Sequence, residues 1–115
     1  MFDNLKNLAN LPAMVAKARE LQEKMRTMQD ELAHKQVSAD AGGGMVTAIV
    51  NGRLELLKVR IDREKLPDPN DTEMIEDLVV AAVNAAHQKA AELAKDEMSK
   101  LAGDLGLPPG MLPGQ

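Results

Sequence analysis

Residues 42–62, GGGMVTAIVNGRLELLKVRID, constrain the fold of this chain more than any other stretch. Two runs rich in β-branched and aliphatic residues, Met45–Val50 and Leu54–Ile61, flank Asn51-Gly52. Asn-Gly between two such runs is the strongest short hairpin signal, because a type I′ turn needs positive φ at both central positions. A two-residue turn there predicts that Val50 faces Arg53, Ala48 faces Glu55 and Val46 faces Leu57, on one face with Val59 and Ile61. The other face then holds Ile49 with Leu54, Thr47 with Leu56 and Met45 with Lys58. Each face is apolar along part of its length, whereas a hairpin in a small monomer usually has one wet face. One face is therefore expected to pack on the chain's own helices. The other, through Ile49, Leu54 and Leu56, is expected to meet a second copy of the chain.

Everything around the hairpin reads as helix. Phe2, Leu5 and Leu8 form a short lead-in at helical spacing, and Pro12 suits a helix's first turn, where its missing N–H costs nothing. Met14, Ala18, Leu21, Met25, Met28 and Leu32 then recur at alternating intervals of four and three, an a/d heptad seam. The pattern predicts a helix from Pro12 to Lys35, about 36 Å long at 1.5 Å per residue. Its short seam reads as a docking face for another helix of the fold or of a twin subunit. Gln36–Ala41 predicts a first, weak strand that leads into Gly42-Gly43-Gly44. That glycine run matches neither GxxxxGK[ST] nor GxGxxG before a helix, so it reads as a turn between strands and not as a phosphate loop.

After Ile61, residues 62–66 suggest one helical turn, and Pro67-Asp68-Pro69-Asn70 is a break. Asp71 or Thr72 caps a second helix, with Glu73, Glu76 and Asp77 on the favourable side of its dipole. It is expected to run from Thr72 to Ala102 and to end at Gly103. Its first half, Leu78–Ala86, is apolar nearly all round and reads as enclosed. Its second half, Lys89–Lys100, reads as amphipathic and mostly wet. Residues 1–104 are expected to form one domain, and the Gly/Pro-rich 105–115 a flexible tail.

Composition narrows the function. The chain has 115 residues, a formal net charge of −4, no Cys, no Trp, no Tyr, one Phe and eight Met. Its core must be built from Leu, Val, Ile, Met and Ala. Without Cys there is neither a disulfide framework nor a thiolate metal site. No apolar run approaches the ~20 residues of a membrane span, and the N-terminus lacks the pattern of a signal peptide. The expectation is a soluble, cytoplasmic protein without cofactor, metal, membrane partner or small-molecule substrate. His34 and His87 lie on different helices without an HExxH, and there is no GxSxG. The carboxylates are spread as on solvated faces, so no enzyme is expected.

The basic residues carry more information. Lys17 and Lys24 lie seven apart on one stripe of the first helix, and Arg19 and Arg26 seven apart on another. Arg53, Lys58, Arg60, Arg63 and Lys65 outnumber the acids of their segment, whereas residues 66–86 hold five acids and no base. A net acidic chain with charge segregated in this way can still present a cationic surface. The near absence of aromatics removes base stacking, so nucleic-acid contact would fall mainly on duplex phosphates. On charge, the candidate contacts are Lys17, Arg19, Lys24 and Arg26, with Lys89, Lys95 and Lys100 in support.

The order of these segments resembles a known family. ARELQEKMRTMQDEL, VSADAGGGMVTAIVNG, VRID with a short leucine-ended segment, a long Ala-rich helix and a closing LPPGM are similar to the YbaB/EbfC family of bacterial nucleoid-associated proteins. The resemblance covers essentially the whole chain. It implies an α+β protomer with a three-stranded antiparallel sheet and a tweezer-like homodimer. It also implies binding to double-stranded DNA with little sequence specificity, which alters DNA conformation in nucleoid organisation and gene regulation. The family's DNA contacts are attributed to projecting helices and no short motif fixes them, so the residues named above rest on charge. The alternative reading is a non-enzymatic dimeric scaffold or prefoldin-like chaperone that binds proteins.

Overall fold

The computed structural model describes residues 2–106, with side chains from Asn10 onward. Helix α1 (Phe2–His34) leads into strands β1 (Gln36–Ala41), β2 (Val46–Asn51) and β3 (Leu56–Ile61). A 3₁₀ turn (Arg63–Lys65) and a second long helix, α2 (Thr72–Asp104), follow. The strands form one antiparallel sheet in the order β1-β2-β3. The arrangement is α+β and extended, 76 × 21 × 19 Å.

Each long helix departs from expectation at an end. Helix α1 starts at Phe2, so Pro12 lies inside it and not in its first turn. Helix α2 starts as expected, with the Asp71 carboxylate accepting from the Met74 N–H at 3.1 Å. It runs through Gly103 and stops at Gly106, whose φ of +67° is the left-handed residue that ends it. The run Gly42-Gly43-Gly44 forms the β1–β2 turn, all three residues at positive φ, which glycine adopts without steric cost.

Two clusters form the core. Ala82, Ala86 and Ala90 recur every four residues on α2 and are fully buried against Val46, Ala48, Val50 and Ala39 of the sheet. Alanine at each contact lets the helix lie close on the strands, which is how a core with almost no aromatics closes. Helix α2 covers β1 and β2 and barely reaches β3. Beyond the sheet it runs antiparallel to α1, and Met28 and Leu32 pack with Leu101, flanked by Met25, Leu93 and Met98. Only the second half of the heptad seam is used in this way. Met14, at the start of the seam, is 58% exposed.

The first half of α2 is not enclosed as its composition suggests. Val80 is 60% exposed, and Ala81 and Asn84 are exposed with it. The sheet has only one helix to cover it, so the opposite side of that helix faces outward.

The hairpin is the largest correction. Its register is Val46↔Ile61, Thr47↔Arg60, Ala48↔Val59 and Ile49↔Lys58, then a bulge, then Val50↔Leu56. The connection is the three residues Gly52-Arg53-Leu54, closed by Asn51 N–H to Glu55 C=O at 3.0 Å and Leu54 N–H to Asn51 C=O at 3.0 Å. The left-handed position falls on Leu54, at φ +67°, and not on Gly52. The Asn51 side chain holds this geometry. Its Oδ1 accepts from the Arg53 and Glu55 N–H groups at 2.9 and 3.1 Å. Its Nδ2 donates to Glu55 Oε1 and to the Ala33 carbonyl of α1.

Candidate nucleic-acid interface

The shifted register separates the three residues assigned to a dimer face. Ile49 lies on the open side of the sheet opposite Lys58, Leu54 is in the turn, and Leu56 is opposite the buried Val50. The open side also carries Arg60 beside Thr47, so it is more polar than the two-residue turn predicts. The apolar surface instead lies on β3, at the margin that α2 leaves uncovered. Leu56, Leu57 and Ile61 are 47%, 46% and 42% exposed there.

The basic residues of α1 sit on the arm that this helix makes with the second half of α2. Lys17 and Lys24 flank a cleft of about 320 Å³ where α2 ends, together with Ala18, Glu20, Leu21, Asp104 and Leu105. Lys24 pairs with Glu20 at 3.2 Å, an exposed i,i+4 contact. Such a pair is worth roughly 0.3–0.5 kcal/mol and yields readily to a stronger anion. Arg19 and Arg26 lie on the other side of the helix, both exposed, and neither carries an ion pair or hydrogen bond among the described residues. The structure thus places the four basic residues on the arm as two separate stripes. Their spacing of seven residues is about 10.5 Å along the axis.

The three cations assigned to α2 are less alike than their sequence suggests. Lys95 is exposed. Lys89 donates from Nζ to the Ser38 carbonyl at 3.0 Å, tying α2 to β1. Lys100 lies 3.7 Å from Glu97, which is also held by Lys35 at 2.7 Å. The Lys35 hydrogen bond is the main cause that lowers the Glu97 carboxyl below the usual carboxylate range. Charge from Lys35 and Lys100 adds to the lowering, and partial burial opposes it. Lys89 and Lys100 are therefore partly committed within the protein, which leaves Lys95 the freest of the three.

Sequence reasoning missed Lys35 as the tie between the two helices, since nothing local marks a contact 62 residues away. It also missed that Lys58 and Arg60 share the open face of the sheet, a placement that follows only from the true register. The acids Asp68, Asp71, Glu73, Glu76 and Asp77 are exposed at the start of α2, whereas Lys17 and Lys24 lie beside its end. Among the described residues no group of His, Asp and Glu is arranged to hold a metal ion. No described helix is long and apolar enough to cross a membrane.

Comparison with known proteins agrees with this architecture. The model of the YbaB/EbfC DNA-binding family matches residues 6–105. A nucleoid-associated protein of Syntrophobacter fumaroxidans is 54% identical over 94 residues, 82% of this chain and 84% of that protein. The nucleoid-associated protein Teth39_2199 of Thermoanaerobacter pseudethanolicus is 46% identical over 99 residues, 86% of this chain and 88% of its own. Among solved structures, the uncharacterised protein HP0035 of Helicobacter pylori superposes with a TM-score of 0.71 at 20% identity. That match covers 81% of this chain and 97% of the other, and it speaks to the fold alone. With the family model spanning both helices and the whole sheet, the chain belongs to the YbaB/EbfC DNA-binding family.

Proposed function

We propose that this protein is a nucleoid-associated factor that binds double-stranded DNA with little sequence preference and bends or bundles it, acting by binding and not by catalysis. The observation that carries the reading is the arm of α1. It projects past the end of α2 and presents Arg19 and Arg26 on an exposed stripe with no acid partner. Guanidinium groups on a rigid helix suit phosphate oxygens, which fix position without reading sequence. Lys17, Lys24 and Lys95 reinforce them. The nucleoid names of the relatives support the same reading.

The active species in this proposal is a homodimer. One chain has a net charge of −4 and few uncommitted cations, and two copies double the arms. The uncovered margin of β3, with Leu56, Leu57 and Ile61, is the apolar surface available for that contact, in place of the face containing Ile49.

A duplex titration against salt tests the reading. Each neutralised phosphate contributes about −0.9 to the slope of log K against log salt, so four to six contacts per dimer give roughly −4 to −5. Replacing Arg19 and Arg26 together by Glu is expected to weaken binding to all sequences alike and to flatten the slope. Both lie off the buried half of the seam, so the fold is retained. A parent protein with no salt-sensitive duplex binding would hand the function to the dimeric scaffold reading.

A further inference from the structure

The heptad seam of α1 outlasts its partner. Helix α2 ends beside Lys17–Lys24, and residues 10–20 of α1 are all exposed. Leu11, Met14 and Val15 are 45%, 58% and 48% exposed on this overhang, adjoining the cleft formed with Leu105. The end of α2 has the hydrogen bonding of a Schellman turn. The Gly106 N–H donates to Gly103 C=O at 3.1 Å, and Gly106 is left-handed. In that motif the next residue turns back to touch the helix three or four residues before its end. Here the next residue is Leu107, and the positions it would touch are Leu101 and Ala102, both already buried at the junction of the two helices.

We propose that residues 107–115 fold back along α1 and cover its exposed seam, with Leu107 at the cleft and Met111 and Leu112 over Met14 and Leu11. The segment LPPGMLPGQ has no charged side chain, so laying it on an apolar strip strands no ion. Pro108 and Pro109 exclude further helix and favour an extended path. The reach is sufficient. From Leu21, at the cleft, to Leu11 is about 15 Å along the helix. An extended proline-rich chain covers that in about five residues at about 3.1 Å each. A second copy competes for the same strip at a disadvantage, because a segment tethered a few residues away acts at an effective concentration in the millimolar range.

The chain has no cysteine, which makes a two-thiol test clean. In the full-length protein, Met14→Cys with Leu112→Cys is compared with Ala16→Cys with Leu112→Cys. Ala16 is at nearly the same height on α1, on the opposite side by the helical period. At submicromolar protein the first pair is expected to form an intramolecular disulfide about tenfold faster than the second, as a docked segment has the higher local concentration. Equal rates would overturn the proposal. Disulfides formed only between chains would also overturn it and assign the strip to a second copy. Hydrogen exchange gives an independent reading. Amides of residues 11–18 are expected to exchange faster when Leu107, Met111 and Leu112 are all replaced by Ser. Unchanged exchange would show that the segment does not cover the helix.

Discussion

The Gly52 N–H donates to the Leu32 carbonyl at 2.8 Å, and a Cβ on Gly52 would stand 2.7 Å from Leu32 Cδ2 and 2.8 Å from that same carbonyl. The same N–H is 2.9 Å from the Lys35 carbonyl. The hairpin turn is thus pressed backbone to backbone against the end of α1, where it satisfies carbonyls that the helix leaves without partners. Gly52→Ala is expected to destabilise the protein by about 1–3 kcal/mol through overpacking, since the clash is with a carbonyl and with the fully buried Leu32. Gly43→Ala meets nothing within 4 Å and carries only the strain of its φ of +67°, about 1 kcal/mol. Thermal unfolding of the two variants checks the order.

Leu54 holds the left-handed position of the hairpin with a side chain that is 46% exposed. Glycine there removes the steric cost of positive φ, about 1–2 kcal/mol, at the expense of some chain entropy and a partly buried side chain. Leu54→Gly is expected to raise stability by about 0.5–1 kcal/mol in urea unfolding. A loss of stability would show that Leu54 makes an apolar contact in the assembled protein.

Asn51 is 3% exposed, and its amide makes four hydrogen bonds that join the turn to itself and to α1. Asn51→Ala leaves the Arg53 and Glu55 N–H groups without this acceptor. The expected cost is about 2–3 kcal/mol, at the upper end for a buried partner removed. Asn51→Asp keeps the acceptor and loses both donated bonds, so it is expected to fall between the parent and the alanine variant. Equal melting temperatures for all three would exclude this role.

Glu97 gives the stability a pH dependence of known sign. Its carboxyl is held below the model value of 4.5 in the folded state, chiefly by Lys35. The stabilisation is therefore fully present above about pH 4.5 and is lost as pH falls through the lower folded value. Lys35 is nearly half exposed, so the effect is modest. Glu97→Gln is expected to melt closer to the parent at acid pH than at pH 7, and Lys35→Met to behave alike. A constant difference across that range would remove the ion pair from the account.

The β3 margin makes a prediction about assembly. Leu56→Glu with Ile61→Glu is expected to sediment as monomer at micromolar concentration, while Ile49→Glu, opposite Lys58, retains the dimer. The reverse result would return the interface to the open face of the sheet. A parent that sediments as a monomer would remove the dimer altogether.

By itself the sequence determined what depends on neighbouring residues. The heptad spacing from Met14 to Leu32 dictates a long helix, Asp71 dictates where α2 starts, and three consecutive glycines dictate a turn of positive φ between β1 and β2. A hairpin around Asn51-Gly52 was equally legible, because alternation and turn residues are local signals. Only the tertiary structure decided the register, since that turn is shaped by contact with Leu32, twenty residues earlier in the chain. Close approach to α1 claims Gly52, so the left-handed position passes to Leu54 and every pairing on β3 moves with it. That shift separates Ile49 from Leu54 and Leu56 and places Lys58 and Arg60 on the open face of the sheet. Tertiary packing also decided which half of the α1 seam is buried, because α2 runs out beside Lys17 and leaves the rest of the arm exposed.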